Sequence, residues 1–86
     1  MIIKNERLTI HNIRDIYEDI KNEFNSSDDI KIDFKGVDEI DLSGLQLLIS
    51  LKRSCEKGGK KLQFINIKDE LLYSFELSGT DQVLEV

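Results

Sequence analysis

The chain has 86 residues, 40% of them apolar and 34% charged, and its 17 acidic and 12 basic side chains leave a formal charge of −5. That length holds one hydrophobic core, so a single domain over residues 1–86 is expected; the composition is not that of a disordered chain, and no apolar run approaches the roughly 20 residues of a bilayer span. The acidic balance repels a phosphate backbone, which argues against nucleic-acid binding.

The start, MIIKNERL, has no basic region followed by a long apolar stretch and a small-residue cleavage site, so no secretory leader is read and a cytoplasmic location is expected. ERLTI, residues 6–10, reads as a strand, and Ile2 and Ile3 belong either to it or to a short strand before it. From Asn12 the apolar spacing changes to three and four, through Ile13, Ile16, Tyr17, Ile20 and Phe24, which predicts a one-faced helix capped by Asn12 and ended by NSSD, residues 25–28. IKIDF, residues 30–34, alternates strictly and puts Ile30, Ile32 and Phe34 on one face of a strand.

After a turn through Gly36, a second helix is expected over residues 43–57, stopped by Gly58 and Gly59. The basic run KRSCEKGGKK, residues 52–61, falls at its C-terminus, where cations offset the helix dipole. KLQFINI, residues 61–67, predicts a strand; DELLYSFELSG, residues 69–79, predicts a third helix on Leu71, Leu72, Phe75 and Leu77, ended by Gly79. The tail TDQVLEV has no decisive pattern. Strands and helices alternating with short connections imply an α/β fold, with a mixed or mostly parallel central sheet of about four strands and three or more helices.

Chemistry is sparse. Cys55 is the lone cysteine and sits on the helix stripe formed with Gly44, Leu47, Leu48 and Leu51, so it reads as a small core residue. His11 is the lone histidine, at a strand end, and no GxSxG elbow surrounds Ser43. No catalytic residue, metal ligand or cofactor is assigned. GGKK leads out of a helix into a strand, the reverse of a phosphate loop.

Ser43 carries two readings. Ser43-x-x-Gln46 fits a capping box, in which the hydroxyl serves only the helix start. Its place between a strand end and a helix N-terminus also suits an anion, since free N–H groups gather there. Leu45 and Ile49 fall one turn apart on the flank of the buried stripe, either against a neighbouring helix or as a patch for a partner.

A strand ending at Asp33, the Asp-x-Ser-Gly turn of Asp41, Ser43 and Gly44, the GLQLL helix start at 44–48, GKKLQFIN at 59–66 and ELSG at 76–79 together resemble the STAS domain, named for sulfate transporters and anti-sigma-factor antagonists. ERLTIHNIRDIYEDI, residues 6–20, is similar to the family's second strand and first helix. In the antagonist branch the second serine of an Asp-Ser-Ser-Gly turn accepts phosphate from a partner that is both serine kinase and anti-sigma factor. The resemblance implies that role for Ser43, with Asp33, Asp41 and Gly44 supporting the turn, a partner surface at Leu42, Leu45, Gln46 and Ile49, and a phosphatase as second partner. Leu42 stands where the branch has its first serine or threonine, and the start is shorter than in members with an extra edge strand. Other STAS subunits, such as the small subunit of a phospholipid-transport ABC complex, are unphosphorylated assembly parts. Neither role involves membrane insertion.

Overall fold

The computed structural model describes residues Met1–Val86. In chain order it contains β1 (Arg7–Leu8), α1 (Ile13–Ser26), β2 (Asp29–Asp33), β3 (Glu39–Ile40), α2 (Leu42–Gly58), β4 (Lys61–Ile65), α3 (Asp69–Ser78) and α4 (Thr80–Leu84). The class is α/β, as expected.

The sheet is not a central one of four strands: β1 pairs with β3 and β2 with β4, giving two parallel pairs. The cause lies in the first eight residues, which serve both pairs in turn. Met1–Ile3 runs along β2, where Ile3 N–H donates to the Asp33 carbonyl at 3.1 Å and Asp33 N–H donates to the Met1 carbonyl at 2.8 Å. Arg7 and Leu8 then lie opposite Glu39 and Ile40. The polar stretch Lys4–Glu6 bends between them and breaks the ladder. The short start therefore does provide a partner for the free edge of β2.

The alternation in IKIDF gives what it predicts: Ile30, Ile32 and Phe34 are fully buried. β4 runs alongside, with Ile30 opposite Leu62 and Ile32 opposite Phe64, and the Phe64 ring meets Phe34 edge to face at 5.7 Å. α1 buries Ile16 and Ile20 but leaves Tyr17 exposed. Asn12 precedes this helix without capping it. Its side chain turns back, accepting from Thr9 N–H at 2.9 Å and donating to the Arg7 carbonyl, which shapes the β1–α1 turn instead.

α2 buries Gly44, Leu48, Leu51 and Cys55 and ends at Gly59, whose φ of 67° is the left-handed conformation glycine adopts without cost. Burial raises the Cys55 thiol pKa, as befits a core residue. α3 buries Leu71 and Phe75, but Leu77 is 75% exposed, because two residues beyond Phe75 lies the opposite side of the helix. The undecided tail forms α4, which returns Leu84 to the core.

Candidate functional site

The chain passes from β3 into α2 through Asp41 alone, so the first turn of α2 lies directly at a strand end. Asp41, not Ser43, caps the helix. Its Oδ1 accepts from Gly44 N–H at 3.1 Å, while Oδ2 accepts from Ile10 N–H at 3.0 Å, a residue 31 positions away. One carboxylate thus ties the start of α2 to the β1–α1 turn.

The Ile10 N–H is the main reason that the Asp41 carboxyl titrates below its ordinary value of 3.8; the Gly44 and Ser43 N–H groups and the charge of His11 act in the same direction, against desolvation. The stabilisation is therefore present while the carboxylate is ionised and lost as pH falls through the lowered pKa. Asp41→Ala is expected to lower the melting temperature at neutral pH, with the gap to wild type closing only in strong acid. Melting curves taken between neutral and strongly acidic pH check this.

With the cap supplied by Asp41, the capping box expected for Ser43 and Gln46 does not form. Ser43 occupies the second helical position, and its hydroxyl makes no hydrogen bond. No buried side-chain polar atom lacks a partner, so this hydroxyl reaches solvent.

Gly44 explains how α2 comes so close. A Cβ at this position would lie 2.6 Å from the Leu8 carbonyl oxygen and 2.6 Å from Ile40 Cγ1. Only glycine lets the first turn rest against both strands of the β1–β3 pair.

Leu42, Leu45, Gln46 and Ile49 follow at helical spacing and line one open groove of about 250 Å³, whose other wall is Ser78–Thr80 and Val83. Leu42 is 69% exposed, whereas Leu45 and Ile49 are half-buried and pack against the core. Leu45 and Ile49 each touch the core with one side and line the groove with the other. Asp33 stands apart. Its Oδ1 accepts from Lys35 N–H at 2.8 Å and from the Asn66 amide at 3.2 Å, which joins the ends of β2 and β4, and no hydrogen bond links it to Asp41 or Ser43.

The groove wall from α3 and α4 escaped the sequence reading, because TDQVLEV has no periodicity long enough to show it; Gly79 followed by Thr80 was the available signal for a second short helix. No group of three histidine, cysteine, aspartate or glutamate residues is placed to hold a metal ion. No helix is long and apolar enough to cross a membrane.

The protein-family model described as "Mlab, STAS domain" matches residues 5–85, nearly the whole chain. The chain belongs to the STAS domain family. Searches of curated proteins and of solved structures found no match. STAS domains are in general protein-binding domains without catalysis of their own, and in this STAS domain the solvent-reaching Ser43 hydroxyl, the Asp41 cap and the Leu42 groove share one end of α2.

Proposed function

We propose that this STAS domain is a phosphorylation-controlled protein-binding switch of the anti-sigma-factor-antagonist kind. Unphosphorylated, it binds a partner that is both serine kinase and anti-sigma factor; phosphate on Ser43 ends the binding, and a phosphatase restores it. The observation that carries the reading is the free Ser43 hydroxyl. Asp41 has taken over the capping that would otherwise account for a serine here. The groove beside it offers a partner apolar contact through Leu42, Leu45 and Ile49. A phosphate adds close to two negative charges and bulk next to the Asp41 carboxylate, so an apposed partner meets repulsion and a desolvation cost.

A second reading is favoured by the description of the matching family, which names Mlab. On that reading the domain is a constitutive subunit of a larger assembly such as a lipid-transport ABC system. Both readings use the same end of α2 and differ in whether Ser43 matters.

Leu42→Lys tests the shared surface. Leu42 is mostly exposed, so the melting temperature is expected to stay within about 2 °C of wild type, the scale of an innocuous surface change. Partner capture from native lysate is expected to fall at least tenfold. Undiminished capture would remove this groove from the interface. Leu45 and Ile49 are poorer probes, because their contact with the core mixes stability with binding.

A further inference from the structure

The outer edge of β4 is a strand edge with nothing paired to it. Lys61 N–H donates to the Asp28 carbonyl at 2.8 Å, and the Ile65 carbonyl accepts from Phe34 N–H at 2.9 Å, so Lys61, Gln63 and Ile65 direct their backbone groups towards β2. Backbone direction alternates along a strand. The N–H and C=O groups of Leu62 and Phe64 therefore point away from β2, and no backbone hydrogen bond from elsewhere in the chain meets them. Folded proteins usually blunt such an edge with charge, proline or a bulge. Here Lys61 is the strand's one charge, and the chain contains no proline.

An open cleft of about 360 Å³ lies along this edge, walled by Leu62, Phe64, Ile67 and Leu84 and by the ion pair of Lys52 with Glu85, which stand 3.2 Å apart. Leu62 and Phe64 are half-buried, so their rings and methyl groups have a packed side and an open side. A strand added to β4 would pair with the free backbone groups and lay its own apolar side chains into the cleft.

The geometry points to a second copy of this chain as that strand, the two β4 strands running antiparallel about a two-fold axis at Gln63. The register is self-complementary. Leu62 of one copy faces Phe64 of the other as a hydrogen-bonded pair, twice over, so the outward backbone groups of both copies are satisfied. Leu62 and Phe64 meet on the core face, Gln63 meets Gln63 on the opposite face, and Lys61 faces Ile65, so no like charges oppose one another. A two-fold axis perpendicular to the sheet keeps the core faces on one side and places the partner's apolar residues in the cleft.

Sedimentation equilibrium over a range of protein concentrations tests this. Wild type is expected to dimerise reversibly. Gln63→Lys and Gln63→Glu, changes of an exposed side chain, are each expected to raise the dimer dissociation constant by about fivefold or more, since like charges then meet at the axis. An equimolar mixture of the two variants is expected to recover dimer, now as a heterodimer. A wild type that stays monomeric up to its solubility limit overturns the proposal and leaves the edge to a strand of another protein; so do variants that dimerise as wild type does. Gln63→Cys supplies an independent readout. The paired Cα atoms would stand about 4.5 Å apart, within disulfide range, and Cys55 is buried. Mild oxidation is expected to give an intermolecular disulfide in high yield, and its absence contradicts the register.

Discussion

Gly44→Ala is expected to destabilise the domain by about 1–3 kcal/mol, the usual cost of forcing extra atoms into a packed site, and to weaken partner binding beyond that loss. The added methyl meets a backbone carbonyl at Leu8, which cannot swing away as a flexible side chain would. Relief requires the first turn of α2 to move off the β1–β3 pair. Asp41 then loses its hold on either the Gly44 or the Ile10 N–H, since both bonds depend on that separation. Urea denaturation measures the stability, and binding at a temperature where the variant is fully folded isolates the second effect. A fully stable alanine variant would show that α2 is free to shift and that its close approach to the β1–β3 pair does not depend on Gly44.

Ser43→Asp and Ser43→Ala are expected to separate folding from binding. The hydroxyl makes no hydrogen bond and serves no cap, so both variants should melt close to wild type. An aspartate at the second helical position even lies favourably in the dipole of α2. Partner affinity should nevertheless fall at least tenfold for Ser43→Asp and stay near wild type for Ser43→Ala. Titration of the captured partner against each variant gives the ratio. A destabilised Ser43→Ala would return the residue to a structural role.

The strands whose side chains obey a simple period were legible. IKIDF announces β2 because Ile30, Ile32 and Phe34 all enter the core, and Gly59 announces the end of α2 because its left-handed backbone follows from glycine itself. The cap of α2 was not decided locally. Asp41-x-x-Gly44 and Ser43-x-x-Gln46 are both acceptable helix starts, and the choice falls to Asp41 through a bond to Ile10 that only the fold creates. Leu77 is a different kind of miss: helical spacing from Phe75 already sets it on the outer side, and its hydrophobicity alone argued otherwise.

The division into two strand pairs was hidden for a tertiary reason as well. Ile2 and Arg7 both lie in extended chain, but they pair with different strands, and nothing in MIIKNERL states which partner each will meet. Of the expected site, Leu42, Leu45, Gln46 and Ile49 come together on one groove, while the Asp33 carboxylate is occupied by Lys35 and Asn66 where β2 and β4 end. The turn motif was local and therefore readable. The wall facing it, from Ser78 to Val83, depends on how α3 and α4 pack back onto α2.

The switch is tested most directly by phosphate occupancy at Ser43 in the protein isolated from its own cells, measured by mass spectrometry separately in the partner-bound and free pools. If Ser43 is the switch, its phosphorylated form is expected in the free pool and is expected to be nearly absent from the bound one. Ser43 unmodified in both pools under every growth condition, or equally modified in both, would contradict it.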